Sequence, residues 1–391
     1  MSDKYIPYGR QWIDQDDIDA VVEVLKSDYL TTGPVIEEFE SQFADYVGAR
    51  YAVAVSNGTA ALHAACFAAG IGPGDEVITS PMTFAASANC ILYQGGKPVF
   101  ADIDSKTYNI DQGEIKKKIT EKTTAVIPVH YTGQPCDLKE IYQIAKKHNL
   151  IVIEDAAHAL GATYKGEKIG NCKYSDMSIF SFHPVKHITT GEGGMITTND
   201  KDLFDKLILF RNHGITKKHE NYLNDYQGPW YHEQQMLGFN YRMTDIQAAL
   251  GISQLKKIDM FVQKRRGIAE IYKRELCDID WIKLPYQKDE RESSWHLYMI
   301  QVDEEKLGRS RREVFGYLRD KGLGVQVHYI PVYWHPYYQE LGYEKGLCHN
   351  AEVLYKHIVS FPLYPGMNDE DLYYVIDVVN NIYQSRKRFI I

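Results

Sequence analysis

Short apolar runs alternate with segments of helical periodicity between residues 50 and 200. The runs contain few polar residues, which is typical of strands with two buried faces, as in a parallel sheet covered by helices. They cover residues 52–55, 77–79, 98–100, 125–129, 151–153, 177–180 and 194–197. The pattern therefore predicts an α/β fold with a seven-stranded, mainly parallel sheet.

Helices are predicted between these runs and after them. An alanine-rich segment at 59–69 ends at a glycine, and residues 138–148 carry apolar positions three and four apart with lysines near the end. A long helix is predicted at 244–273, with Thr244 as its N-cap. Beyond it we predict strands at 295–300 and 325–329 and helices at 310–321 and 369–383.

This order of elements predicts three parts of the chain. Residues 1–35 fit neither α/β pattern and are expected to form an N-terminal arm. Residues 36–255 are expected to form a large α/β domain, and residues 256–391 a smaller one. The helix at 244–273 would bridge the two domains. A chain of 391 residues is long enough for such a pair.

Composition and charge narrow the class of protein. The chain is 44% hydrophobic and 25% charged, as in ordinary globular proteins, and no apolar run approaches the roughly 20 residues of a membrane span. The N-terminus shows no charged-then-apolar leader, and the six cysteines are scattered without a CxxC pair. We therefore expect a cytoplasmic protein with free thiols and no zinc site. A net charge of −8 argues against nucleic-acid binding but leaves anionic small ligands open.

Two charged side chains follow two of the apolar runs. Asp155 ends the run at 151–153, and Lys186 follows the run at 177–180 after a histidine and a proline. Because active-site residues of open α/β sheets lie at the carboxyl ends of strands, this pair predicts a pyridoxal phosphate (PLP) site. The Lys186 amine can form a Schiff base with the cofactor aldehyde, and Asp155 can keep the ring nitrogen protonated. The alternative for Asp155 alone is a helix N-cap.

The turn at 56–59 joins the first apolar run to the alanine-rich helix. A strand, a glycine and a helix N-terminus make a phosphate site, because the first N–H groups of a helix are free and the dipole is positive there. Gly58 allows close approach, the Thr59 hydroxyl adds a donor, and Ser181 is a second donor candidate. By itself this motif is common.

Two further side chains are candidates for the cofactor ring. His158 follows Asp155 by three residues and is expected to bond the ring hydroxyl or to stack beside the ring. The alternative is a polar residue satisfied within the turn. Phe84, after the second run, is expected to stack on the ring, and its alternative is core packing.

The combined motifs resemble the DegT/DnrJ/EryC1/StrS family of PLP-dependent nucleotide-sugar aminotransferases across nearly the whole chain. The segments that carry the resemblance are SNGTAAL, GDEVITSPMTFAASAN, EDAAHALG, SFHPVK followed by TTGEGG, RNHG, and GFNYRMTDIQAALGISQL. The resemblance implies the type I (aspartate aminotransferase-like) fold and a homodimer with shared active sites. It implies that Lys186 is the Schiff-base lysine and Asp155 the partner of the ring nitrogen. Gly58, Thr59 and Ser181 would hold the phosphate, and Asn240 would reach the partner's site.

Within the family, the chain most resembles the members that serve pseudaminic acid biosynthesis. The resemblance implies that L-glutamate donates an amino group to C4 of a UDP-4-keto-6-deoxy-N-acetylhexosamine. The candidates for substrate contacts are Tyr8, Arg10, Arg211, His213, Arg242, His328 and Tyr329. Three alternatives stay open: a D-configured UDP- or dTDP-4-keto-6-deoxy sugar, a sugar dehydratase of the same fold, and a non-catalytic regulator. The dehydratases carry histidine in place of the lysine, so Lys186 argues against that reading.

Overall fold

The computed structural model describes residues 4–383, and a central sheet of seven strands dominates it. The strands lie side by side in the order Tyr51–Val55, Gly194–Thr198, Met177–Ser181, Ile151–Asp155, Thr123–Ile127, Glu76–Thr79 and Lys97–Phe100. Gly194–Thr198 runs antiparallel to both of its neighbours, and the other adjacent pairs are parallel. The predicted seven-stranded, mainly parallel sheet is confirmed.

Residues of these strands alternate between two buried clusters, one on each face of the sheet. Val152 and Phe180 belong to one cluster, whereas Ile153 and Ile179 belong to the other. Successive side chains of a strand point to opposite faces, so a sheet covered on both faces needs apolar residues at consecutive positions. This explains why the strands appear in the sequence as continuous apolar runs.

Helices cover both faces and form much of the C-terminal part. The α-helices of the described chain are Gln15–Leu25, Pro34–Val47, Gly58–Ala68, Ala86–Tyr93, Gln112–Lys118, Leu138–Lys147, Lys201–Arg211, Asp245–Leu255, Ile258–Leu276, Glu304–Leu307, Arg311–Asp320, Pro336–Glu340, His349–His357 and Asp369–Asn380. The helices predicted at 59–69, 138–148, 310–321 and 369–383 are present, with starts at 138 and 369 as predicted and the other ends shifted by one to three residues.

The helix predicted at 244–273 is two helices, Asp245–Leu255 and Ile258–Leu276. Thr244 caps the first as predicted, and its side chain accepts from the Gln247 N–H. The break falls at Lys257, whose N–H bonds to the Gln254 carbonyl three residues back. Neither glycine nor proline marks this break. The Lys257 ammonium instead pairs with two carboxylates of the N-terminal segment, which a local pattern does not reveal.

A smaller antiparallel sheet organises the C-terminal part. It contains Ile282–Lys283, Tyr298–Val302 and Ile358–Phe361 and supports a separate buried cluster that includes Trp281 and Val375. The strand predicted at 295–300 therefore begins later. The N-terminal strand Ile6–Pro7 pairs in parallel with Leu323–Gly324, and Ile6 joins the same cluster. The predicted domain boundaries stay predictions.

The strand predicted at 325–329 is wrong. Of this segment only Gln326 forms an isolated bridge, with Ser360, and the His328 ring nitrogen Nδ1 lies 2.9 Å from the Ser360 hydroxyl. The alternating apolar residues suggested a strand, but the polar side chains between them face a cavity and its wall. The remaining short strands are Thr163–Tyr164 between Glu167–Lys168 and Arg291–Glu292, and Ile215–Thr216 beside Glu233–Gln234.

Within residues 4–383, no helix combines the length and apolar character needed to cross a membrane. The same residues contain no group of three or more His, Cys, Asp or Glu side chains placed to hold a metal ion.

Candidate active site

A cavity of about 790 Å³ opens at the carboxyl ends of the central strands. Its walls come from the ends of Ile151–Asp155 and Met177–Ser181, from the N-terminus of helix Gly58–Ala68, and from residues 326–329 of the C-terminal part. Ligands of open α/β sheets bind at this edge. The cavity therefore lies where the sequence predicts the active site.

Asp155 and Lys186 line the same cavity because their strands are adjacent and parallel. Asp155 pairs in register with Ile179, and the Ala156 N–H donates to the Ile179 carbonyl at 2.9 Å. No helix begins after Asp155, so the N-cap alternative does not apply. Its carboxylate accepts from the Ser87 hydroxyl at 2.6 Å and from the Ala157 N–H at 3.1 Å. Both bonds favour the charged form.

The Lys186 side chain stands in a turn directly after the strand Met177–Ser181. Its backbone N–H donates to the His183 carbonyl at 2.8 Å, which closes the turn. Burial lowers the pKa of the Lys186 ammonium from its ordinary value to about 8. The negative charge of Asp155 raises this pKa, and the positive charge of Arg265 lowers it further. A pKa in this range leaves a useful fraction of nucleophilic free amine near neutral pH.

The strand register brings Gly58 beside Ser181. Gly194 pairs with Val55 on one side and with Ser181 on the other, so the turn after Val55 lies over Ser181. A Cβ on Gly58 would lie 2.8 Å from the Ser181 Cβ, closer than side chains pack. The Asn57 side chain caps the helix by accepting from the Ala60 N–H at 2.8 Å. The first N–H groups of the helix, which have no acceptor within it, remain available for an anion.

Aromatic and imidazole rings form the opposite part of the cavity. His158 is buried, its Nε2 lies 3.2 Å from the Tyr329 hydroxyl, and its Nδ1 has no partner among the described residues. Burial, followed by the charge of Lys186, lowers the His158 pKa well below its usual range, so the ring is neutral. Phe84 lines the cavity with 62% of its surface exposed, and its ring centroid is 6.3 Å from that of Tyr329.

These residues fit pyridoxal phosphate. A helix N-terminus with a glycine and two hydroxyl residues suits the phosphate, a buried carboxylate suits the ring nitrogen, and an amine with a lowered pKa suits the aldehyde. The Nδ1 of His158, which has no partner among the described residues, is available to hydrogen-bond the cofactor. The exposed Phe84 ring offers a surface on which the cofactor ring can stack. The roles of the individual residues remain predictions.

The predicted substrate residues divide into two groups. Tyr8, His328 and Tyr329 line the cavity, and the Tyr8 and His328 rings lie 5.2 Å apart between centroids. Burial, followed by the charge of Lys186, lowers the His328 pKa to about 4, so this ring is neutral near pH 7. Arg10 lies outside the cavity, in a narrow cleft behind Lys186.

The other predicted substrate residues do not line this cavity. Arg211 ends a helix and pairs with the Glu40 carboxylate, and its guanidinium also donates to the Ala54 carbonyl at 2.7 Å. A substrate role for Arg211 therefore finds no support in this geometry. His213 and Arg242 line a second, more open cavity of about 710 Å³.

Asn240 is exposed and does not line the main cavity, whereas the adjacent Tyr241 does. The Tyr241 carbonyl accepts from the Ser56 N–H at 2.8 Å, which fixes this segment beside the phosphate turn. The predicted contribution of Asn240 to a partner's site thus stays a prediction.

The sequence reasoning missed several residues that line the cavity. Thr83, Ser87, Tyr93, Tyr241 and Gln326 all contribute to its wall. Thr83 and Ser87 lie on either side of Phe84 in a motif already singled out, Thr83 before the helix Ala86–Tyr93 and Ser87 in its first turn. Their position shortly after the carboxyl end of the strand Glu76–Thr79 is the signal that would have indicated them.

Comparison with known proteins identifies the family. The profile of the DegT/DnrJ/EryC1/StrS aminotransferase family matches residues 11–380. The chain is 45% identical to the spore coat polysaccharide biosynthesis protein SpsC of Bacillus subtilis, covering 97% of each chain. It is 40% identical to a UDP-4-amino-4,6-dideoxy-N-acetyl-beta-L-altrosamine transaminase of Campylobacter jejuni, covering 98% of this chain and 99% of the relative.

Solved structures agree with this fold and with the cofactor. Helicobacter pylori PseC, an aminotransferase involved in the biosynthesis of pseudoaminic acid, superposes with a TM-score of 0.90 at 34% identity, over 98% of this chain and 100% of that one. The PLP form of the putative sugar aminotransferase Spr1654 from Streptococcus pneumoniae gives 0.89 at 30% identity, over 98% and 99%. The predicted type I fold and PLP dependence are confirmed. The chain belongs to the DegT/DnrJ/EryC1/StrS aminotransferase family and is a PLP-dependent sugar aminotransferase.

Proposed function

We propose that this aminotransferase moves the amino group of L-glutamate to C4 of a UDP-4-keto-6-deoxy-N-acetylhexosamine of β-L-arabino configuration, in pseudaminic acid biosynthesis. The observation that carries the amino-transfer chemistry is the shared cavity of Asp155, Lys186 and the Gly58 turn. The choice of sugar is supported by the Campylobacter jejuni and Helicobacter pylori relatives, whose names state this amino sugar and this pathway.

Five residues would hold the cofactor by different interactions. The Lys186 amine would bind its aldehyde carbon, and the Asp155 carboxylate would accept from the protonated ring nitrogen. The N–H groups and hydroxyl near Gly58 and Thr59, with the Ser181 hydroxyl, would bind the phosphate. When bound, the cofactor supplies the group that carries the amine between substrates and the ring that takes up electrons from the substrate carbon.

Lys186 also has a second role, as the base and acid of the reaction. When its amine is free, the Lys186 Nζ would take the proton from the α-carbon of glutamate. In the second half of the reaction the same nitrogen returns a proton to C4 of the sugar. A pKa of about 8 suits this exchange, because an amine near the operating pH both accepts and donates readily. The Asp155 carboxylate would accept from the ring nitrogen and so favour the protonated ring.

The charges in the cavity support a homodimer with shared sites. Among the described residues that line it, Lys186 is the single Lys or Arg, whereas Asp155 and Glu192 are acidic. A cofactor phosphate, a nucleotide diphosphate and a glutamate carboxylate together need more cations than this. The second cavity is walled by a segment, residues 212–242, that carries the exposed Lys217 and the half-buried Arg242 outside the protomer's own main cavity. A second copy that placed this segment over the cavity would complete the site, with Asn240 beside the phosphate.

The thiols support a cytoplasmic location. The six cysteines are free, and five are buried. Unpaired cysteines in this number are typical of a reducing compartment.

The first experiment tests the roles of Lys186 and Asp155. The purified protein should show the visible absorbance of bound PLP, and borohydride reduction should fix a cofactor-sized mass on the peptide that contains Lys186. Lys186→Ala should lose the fixed mass and amino transfer, whereas Lys26→Ala, at an exposed position, should keep both. An active Lys186→Ala protein would refute the assignment. Asp155→Ala should bind the cofactor but transfer the amine far more slowly.

The second experiment tests the sugar. A panel of 4-keto-6-deoxy sugars would compare the L-configured UDP substrate with D-configured UDP and dTDP sugars, using glutamate as donor. The D-configured alternative stays in the panel because the relative at 45% identity is named for spore coat polysaccharide, not for this sugar. A higher kcat/KM for a D-configured sugar would replace the proposed substrate while leaving the amino-transfer chemistry intact.

Two other readings are disfavoured. A dehydratase of this fold would carry histidine at position 186, and this chain carries lysine. A non-catalytic regulator does not agree with membership of an aminotransferase family over residues 11–380.

A further inference from the structure

Two buried hydroxyls of the cavity wall lie beside the Asp155 carboxylate. Ser87, in the first turn of the helix Ala86–Tyr93, is fully buried, and Thr83, in the turn before that helix, is 3% exposed. The Ser87 Oγ lies 2.6 Å from Asp155 Oδ2, and the Thr83 Oγ1 lies 2.7 Å from the Ser87 Oγ. The three polar groups form one chain of hydrogen bonds that ends on the carboxylate.

The direction of these bonds follows from their chemistry. An ionised carboxylate only accepts, so the single Ser87 hydrogen points to Asp155. The alternative acceptor, the Phe84 carbonyl at 3.3 Å, is more distant. With its hydrogen committed, the Ser87 oxygen accepts from the Thr83 hydroxyl. Each bond polarises the next, so the chain stabilises the negative charge of Asp155 more than one neutral donor would.

We propose that Thr83 and Ser87 are positioning residues that hold Asp155 ionised and oriented toward the ring nitrogen of the cofactor. This inference rests on the proposed role of Asp155. The Ser87 hydroxyl occupies Oδ2 and the Ala157 N–H occupies Oδ1. Each oxygen is thereby held by one donor and keeps capacity to accept a further bond, and Asp155 lines the cavity.

Asp155 has electrostatic interactions with several titratable groups of the cavity wall and the core behind it. They include Lys186, the Tyr329 hydroxyl and the thiols of Cys90 and Cys136. Burial raises the pKa values of the tyrosine and of both thiols, so these three are neutral. Among these groups Lys186 carries the one positive charge, and the hydroxyl chain adds a hydrogen bond to the carboxylate.

The test compares three changes in the holoenzyme. Thr83→Val keeps the shape of the side chain and removes its donor, Thr83→Ser keeps the donor, and Ser87→Ala removes the last link. Thr79→Val is the matched control, because Thr79 is equally buried and its hydroxyl donates to the Ile127 carbonyl at 2.9 Å, away from Asp155. The readouts are the pH midpoint of the visible absorbance of bound PLP and the PLP dissociation constant.

A weaker charge on Asp155 leaves the cofactor ring less cationic. A less cationic ring repels the proton on the nitrogen that joins Lys186 to the cofactor less strongly, so the midpoint for loss of that proton should rise. The loss of a bond to a charged group corresponds to a shift of about one pH unit for Ser87→Ala and to PLP binding weakened by about tenfold. Thr83→Val should shift the midpoint in the same direction by less, and Thr83→Ser should restore the wild-type midpoint. Thr79→Val should leave both readouts unchanged.

Two results would overturn the proposal: a wild-type midpoint in Thr83→Val and Ser87→Ala, or equal shifts in these variants and Thr79→Val. If Ser87→Ala does not fold, the comparison of Thr83→Val with Thr83→Ser decides alone. Failure of the proposed active site is recognised separately, because the wild-type protein would then show no mass fixed on Lys186. That result would overturn both.

Discussion

The pKa of Lys186 leads to a measurable reactivity. Burial lowers it from an ordinary value of 10.5 to about 8, Asp155 raises it, and Arg265 lowers it. At pH 8 about half of the Lys186 amines are therefore free, whereas a lysine of ordinary pKa is about 0.3% free. We expect Lys186 of the cofactor-free protein to react with an amine reagent roughly 100-fold faster than an ordinary lysine at pH 8, provided that the reagent is small enough to enter the cavity.

The assay is competitive labelling across pH. Cofactor-free protein is treated with trace formaldehyde and cyanoborohydride between pH 6 and 10.5, and the labelled fraction of each lysine peptide is measured by mass spectrometry. The Lys186 rate should rise until about pH 8 and then level off. Lys117 is the internal control, because the hydrogen bond from its ammonium to Glu114 raises its pKa, so its rate should keep rising through the whole range.

Asp155→Asn tests the sign of the electrostatic reasoning. Removal of the negative charge takes away the influence that raises the Lys186 pKa, so the midpoint should fall below that of the wild type. A Lys186 rate that still rises at pH 10, or a midpoint that moves upward in Asp155→Asn, would refute the reasoning. The first result would mean that burial does not control this amine, and the second that Asp155 is not its dominant anionic neighbour.

Three further substitutions test the supports of the site. Gly58→Ala would bring a Cβ to 2.8 Å from the Ser181 Cβ. PLP should then bind about tenfold or more weakly, and Tm should fall only slightly; an unchanged PLP dissociation constant would contradict the close packing. Arg211→Met leaves the Glu40 carboxylate without its cation. The free energy of unfolding, measured by urea titration, should fall by about 3–5 kcal/mol. A raised KM with unchanged stability would instead support a substrate role for Arg211. Asp245→Ala removes a carboxylate that accepts from the Gly33 and Val35 N–H groups, at 2.8 and 3.1 Å, at the start of the helix Pro34–Val47. The free energy of unfolding should fall by about 2 kcal/mol in the same titration, and the absorbance of bound PLP should be unchanged.

The central sheet was predictable from sequence because burial on both faces leaves a direct signal. Alternate residues such as Val152 and Ile153 enter different cores, so each strand is apolar throughout. The segment at 325–329 shows the limit of the same reasoning. Its alternation of apolar and polar residues is typical of a strand, but Gln326 and His328 face a cavity wall instead of solvent.

The positions of Asp155 and Lys186 were predictable because chemistry at strand ends is a local feature of the sequence. The function of Arg211 was not, since its partner Glu40 lies 171 residues away and no local pattern relates them. The same holds for the break at Lys257, which depends on carboxylates of the N-terminal segment. Long-range ion pairs decide whether a cation is structural or available, and a basic turn in the sequence does not distinguish the two.

The reversed strand Gly194–Thr198 explains how the phosphate end of the site is built. A parallel sheet alone would not place the turn after Val55 beside Ser181, because another strand lies between them. That intervening strand begins at Gly194, directly between Val55 and Ser181 in the register, and a Cβ there would lie 2.5 Å from the Asn57 carbonyl oxygen. A glycine at this position lets the turn close over the strand end and reach Ser181. The glycine-rich segment before it therefore serves the phosphate site by reversing the chain, which neither apolar periodicity nor the Ser56–Thr59 motif predicts by itself.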